Sequence, residues 1–91
     1  MNYELSQIDY DILDVLYFVE PFEKILEEVA APPKIVADCL KHLIAKKYGV
    51  AMRFDEEKQD YLKSFIYDSD DMNAYSYLAT KEGMLAHNGR L

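Results

Sequence analysis

The chain contains a single cysteine, no tryptophan and only three glycines among its 91 residues. One cysteine, Cys39, cannot close an internal disulfide, so stability has to come from packing. Three glycines cannot build much of a phosphate-cradling loop, and neither a nucleophile elbow nor a zinc-protease helix occurs, which argues against an enzyme. No apolar run approaches the roughly 20 residues needed to cross a bilayer, and the start, Met1-Asn2-Tyr3-Glu4, lacks the basic and apolar segments of a signal peptide. A cytoplasmic protein without membrane contact is expected. Positive charge is also scarce, with ten Lys and Arg against seventeen Asp and Glu. Such a balance ordinarily argues against a polyanionic partner, because nucleic-acid affinity draws on cations that displace counterions at phosphates.

The charge that is present is segregated. Residues 1–33 carry eight acids and Lys24 alone, and residues 55–73 carry seven acids against Lys58 and Lys63. Between them lie Lys34, Lys41, Lys46, Lys47 and Arg53 against Asp38. A local field of this kind matters more to a partner than the net value of -7. Half the residues are apolar, which suits one compact domain over residues 1–91 with one modest core.

Ser6 and Asp9 form a capping-box pattern, which predicts a first helix from near Ser6 to about Phe18. Its stripe of Ile8, Ile12, Val15 and Val19, flanked by Leu16, reads as core, and Tyr10, Leu13 and Tyr17 fall on the opposite side. That second apolar stripe needs cover. A C-terminal segment with Met84 and Leu85 could supply it within one chain. A homodimer seam made by Tyr10, Leu13, Tyr17, Met84 and Leu85 is the favoured expectation, because two-fold dimers are the commonest assembly and uncovered patches are unusual.

Pro21 suits the first turn of a second helix with Phe22, Ile25, Leu26 and Val29 inside, and Pro32-Pro33 ends it. Val36, Leu40, Leu43 and Ile44 mark a third helix over about residues 33–48, with Gly49 as its expected C-cap. Alternation then predicts a strand from Val50 to Phe54, and a second strand is expected from Ala74 to Leu78. The segment between them, Asp55 to Asn73, holds an apolar patch, Tyr61 to Tyr67, that fits either a strand or a short helix between acidic turns.

Leu26-Glu27-Glu28-Val29-Ala30, then Val36-x-x-x-Leu40-x-x-Leu43 followed by Tyr48-Gly49-Val50, and Tyr75-x-Tyr77-Leu78-Ala79-Thr80-Lys81-Glu82-Gly83 together resemble the winged helix-turn-helix superfamily, loosely its MarR-like and PadR-like regulators. The resemblance covers roughly residues 6–86. It implies an α+β fold with a three-helix core, a β-hairpin wing and a short C-terminal helix. It also implies binding of double-stranded DNA by a transcriptional regulator, with the third helix in the major groove. Helix projection turns Lys34, Asp38, Lys41 and Ala45 away from the core stripe, with Ala37 and His42 at the edges. The expected DNA contacts are therefore Lys34, Ala37, Asp38, Lys41, His42, Lys46, Lys47 and Arg53. Asp38 stands where binding members often carry arginine, and a carboxylate in a phosphate-lined groove costs affinity. A wing of the length of 55–73 would be long and acidic. The other reading is a protein-interaction module, with the acidic helices meeting a basic partner and the Tyr61 to Tyr67 patch as anchor.

Cys39 and His42 lie three apart on a helix and with His87 are the candidate metal ligands, but no second cysteine or carboxylate-rich motif completes a four-ligand site. No metal and no cofactor are expected. Asp68, Asp70 and Asp71 are followed by Met72 and Asn73, where a calcium loop needs an oxygen ligand and glycine, so they read as a polar turn.

Overall fold

The computed structural model describes residues 5–89. They form an α+β fold with four α-helices and one four-stranded antiparallel sheet. The order is α1 (Gln7–Val15), β1 (Glu20–Pro21), α2 (Phe22–Glu28), α3 (Pro33–Ala45), β2 (Gly49–Asp55), β3 (Asp60–Ser64), a 3-10 turn (Met72–Ala74), β4 (Ser76–Ala79) and α4 (Lys81–Asn88).

Helix α1 opens on the Ser6–Asp9 capping box, each side chain accepting the other residue's backbone N–H. It stops at Val15, short of the predicted Phe18, because the Leu16 N–H closes back on Ile12 and Leu13 while the Leu16 carbonyl accepts the Ala79 N–H at 3.0 Å. A freed carbonyl at the helix end is thus spent on β4. The core-facing sector of α1 is also rotated from the predicted one. Ile12, Leu13 and Leu16 are fully buried, whereas Ile8 and Val15 are only partly so.

Pro21 precedes α2 rather than beginning it, and Glu20 and Pro21 pair with Tyr77 and Ser76 of β4. Proline tolerates this place because the strand is the edge of the sheet. Helix α3 opens with Pro33 in its first turn, as the sequence implies. Its end differs. Gly49 lies in β2, and Lys47 takes the left-handed conformation at φ 66° that lets the chain leave the helix.

The sheet order is β1-β4-β2-β3. Strand β2 pairs with β4 on one side (Ala51 with Tyr77, Gly49 with Ala79) and with β3 on the other (Arg53 with Leu62, Asp55 with Asp60). The strand after α3 pairs antiparallel with the strand before α4, as expected, and the correction concerns the segment between them, which is not one long acidic loop but supplies the strand β3. The hairpin is β2–β3, closed by a turn at residues 56–59 in which Gln59 adopts φ 52° and the Asp55 carboxylate accepts the Glu57 N–H at 2.9 Å. Only afterwards does the chain return to insert β4 between β1 and β2.

Helices α1, α2 and α3 pack with Ala51, Tyr77 and Ala79 in one core cluster. Tyr77 is completely buried and its hydroxyl donates to the Met72 carbonyl at 2.8 Å, which anchors the 3-10 turn. Burial pushes this phenol well above the usual tyrosine range. Helix α4 docks on the turn between α3 and β2. The Thr80 hydroxyl donates to the Lys47 carbonyl at 2.6 Å and accepts the Gly83 N–H at 3.0 Å, and the Thr80 N–H donates to the Tyr48 carbonyl. A Cβ on Gly83 would collide with that same Tyr48 oxygen, so only glycine fits there.

Candidate nucleic-acid interface

The third helix presents its predicted outer face. Lys34, His42, Ala45, Lys46 and Lys47 are exposed, Asp38 and Lys41 half-buried. Ala37 is placed differently from the expectation: it is half-buried and packs against the core, which leaves it little surface to offer a groove. Ile35 takes its place on the outside, 41% exposed between the cations. The Lys34 ammonium stands 4.0 Å from the Asp38 carboxylate, one helical turn away, with the lysine 86% exposed. An exposed pair at that separation is worth little and leaves the lysine available to a phosphate.

Arg53 projects from β2 on the same side of the sheet as Ala51, beyond the helices, and its guanidinium lies 5.6 Å from the centroid of the Tyr75 ring. Tyr75 in turn meets Tyr67 edge to face at 5.9 Å and accepts the Asp68 N–H at its hydroxyl. Arg53 is therefore held by an aromatic surface and, among the described residues, by no carboxylate within ion-pair distance, which keeps its charge on offer. The structure thus places Lys34, Lys41, His42, Lys46 and Lys47 on α3 and its exit, and Arg53 on β2, the strand that follows.

The face assigned to a dimer seam is largely closed within one protomer. Leu13 is fully buried in the core, because α1 is rotated from the predicted stripe, and so is not a surface residue at all. Met84 packs against the same core. Helix α4 lays His87 between Tyr10 and Tyr17, ring centroids 5.9 and 5.8 Å away, with its Nε2 3.4 Å from the Asp14 carboxylate. The Tyr17 hydroxyl donates to Asn88 at 3.4 Å. Of the five residues, Tyr17 and Leu85 remain exposed.

The residues weighed for a metal are dispersed: His42 is exposed on α3, His87 lies against α1, and Cys39 is half-buried. Burial pushes the Cys39 thiol up, and the Asp9 carboxylate of α1 adds to the effect, so the sulfur stays protonated at neutral pH. Among the described residues no three His, Cys, Asp or Glu side chains converge as metal ligands. No helix among them is long and apolar enough to cross a membrane.

A second feature lies outside the basic island. Strand β3 and the residues after it expose Tyr61, Leu62, Phe65 and Ile66, the last two at 81% and 91%, and Phe54 meets Tyr61 across the hairpin at 5.2 Å. Comparison with protein-family models, curated proteins and solved structures gave no match.

Proposed function

We propose that the chain is a winged helix-turn-helix transcriptional regulator that binds double-stranded DNA through α3. The observation that carries the reading is the outward face of α3 and its exit, where Lys34, Lys41, His42, Lys46 and Lys47 stand with Asp38 as the acid among them. Supporting it, α2 and α3 are joined by only residues 29–32, and a β2–β3 hairpin follows α3 directly, the order in which a recognition helix precedes a wing. Lys34 and Lys41 would reach phosphates or a guanine edge, while Lys46, Lys47 and Arg53 would hold the backbone. The acidic turn of the hairpin, with Asp55, Glu56, Glu57 and Asp60 around Lys58, is repelled by phosphate, so base-proximal contacts fall to α3 and the hairpin contributes through Arg53 near its base. No covalent chemistry is assigned to the chain.

Fluorescence anisotropy against random duplex DNA over a salt series tests this. Each phosphate neutralised contributes about -0.9 to the log-log salt slope. The expected result is salt-sensitive binding that Lys34→Glu/Lys41→Glu abolishes. A slope near zero, or a double variant that binds as wild type does, removes the reading.

The second reading is a protein-interaction module, and the exposure of Phe65 and Ile66 beside an acidic stretch favours it. It gives the opposite pattern: Phe65→Ala weakens capture of a basic partner while Lys34→Ala and Lys41→Ala leave it unchanged.

A further inference from the structure

A cavity of about 670 Å³ opens beside the exit of α3. Its volume falls in the range of small-ligand pockets, about 300–1,000 Å³. The apolar part of its wall comes from Ile44, Val50, Phe65 and Leu78. Around this wall stand Lys47 from the turn after α3, Lys63 from β3 and Lys81 from the start of α4, with Glu82 as the acid among the lining residues. All three lysines are exposed, and among the described residues none of them has a carboxylate within ion-pair distance. Three unpaired ammonium groups about one apolar pocket is an unusual concentration in a chain of net charge -7.

Local hydrogen bonding removes the competing acceptors. The Lys47 carbonyl is taken by the Thr80 hydroxyl and the Tyr48 carbonyl by the Thr80 N–H. The rim therefore presents three cations against the one carboxylate of Glu82, while the wall behind presents hydrocarbon. A ligand with one anionic end and an apolar body satisfies both, whereas an inorganic anion leaves the wall unfilled and a neutral hydrocarbon leaves the lysines unpaired.

We propose that this cavity binds a small amphipathic carboxylate, with its headgroup among Lys47, Lys63 and Lys81 and its apolar body against Val50, Leu78, Ile44 and Phe65. The site stands independently of DNA binding, since Lys63 and Lys81 belong to neither α3 nor its exit. Where DNA is bound, Lys47 is common to both surfaces, and ligand and duplex compete for it.

The test is an NMR titration of the full chain with decanoate, kept below its micelle concentration, and with decanol. Saturable shifts at the amides of Lys47, Lys81 and Glu82, with Lys34 unmoved, are expected for decanoate. Charge-assisted contacts of this kind are worth about tenfold in affinity, so decanol and the Lys63→Ala/Lys81→Ala variant should each bind about tenfold more weakly. Glu82→Gln should bind decanoate more tightly, because it removes the one like charge on the rim. Absence of saturation overturns the proposal. So does equal binding of decanol, or of decanoate by the double variant, since either would reduce the effect to non-specific apolar adsorption.

Discussion

Two regions of the molecule are built on opposite terms. Where α4 meets the turn between α3 and β2, backbone carbonyls, the Thr80 hydroxyl and the bare Cα of Gly83 interlock, and the residue at each position is dictated by what it touches. Along the β2–β3 hairpin and the segment after it, large side chains such as Phe65 and Ile66 touch little and stand in water. The first region can be explained by stability alone. The second cannot, because burial would have favoured those side chains and the fold leaves them outside. Binding is therefore to be sought on the surfaces where the fold has no use for the residues it displays.

The sharpest way to break this comparison is Gly83→Ala. A Cβ colliding with the Tyr48 carbonyl must push α4 off the turn. The expected loss is about 3 kcal/mol in chemical denaturation, as for overpacking of a tight contact. An unchanged midpoint would show that the joint yields. Tyr77→Phe comes next. It strands the Met72 carbonyl that the phenol now satisfies and should cost about 1–2 kcal/mol at neutral pH. The pH dependence has a definite sign. Because the folded protein holds the Tyr77 phenol above its unfolded value, the stabilisation is complete below about pH 10 and lost as pH climbs through that value and beyond. Thermal melts from neutral to strongly alkaline pH should fall off, and Tyr77→Phe should fall off less. The smallest effect belongs to the exposed region, where Phe65→Ser/Ile66→Ser should shift stability by no more than about 0.5 kcal/mol per site. A larger loss would mean that these side chains support the fold, and the contrast between the two regions would collapse.

Much of the helical half was legible in the sequence. The Ser6–Asp9 box, the Pro32-Pro33 break and the Val36, Leu40 and Leu43 stripe each act within one or two turns of chain, and local patterns carry such information well. What escaped depended on contacts distant in sequence. Helix α1 ends early because Ala79 claims the Leu16 carbonyl, and that truncation accompanies a rotation which sends Leu13 inward. Strand β3 has an ambiguous composition and becomes a strand through pairing with β2, so its own periodicity did not announce it. Lys47 adopts a conformation usually left to glycine, two residues before the Gly49 that the pattern favoured. On the candidate interface, Lys34, Lys41 and His42 were readable from helical projection, whereas Arg53's aromatic support came from Tyr75, twenty-two residues on. The grouping of Lys47, Lys63 and Lys81 had no sequence signal at all, because three separate elements bring them together.

Strand β3 is the edge of the sheet opposite β1, and its first residue, Asp60, turns its carboxylate onto the Tyr61 N–H at 2.7 Å. An outer strand with apolar neighbours such as Leu62, Phe65 and Ile66 is a template on which other chains zip together into aggregates. The aspartate occupies a donor that an incoming strand would need, and it adds a negative charge at the point of approach. Replacing this aspartate with a hydrophobic β-branched residue removes both guards at once and is expected to raise the tendency of the edge to pair with other chains, which light scattering at high concentration would follow.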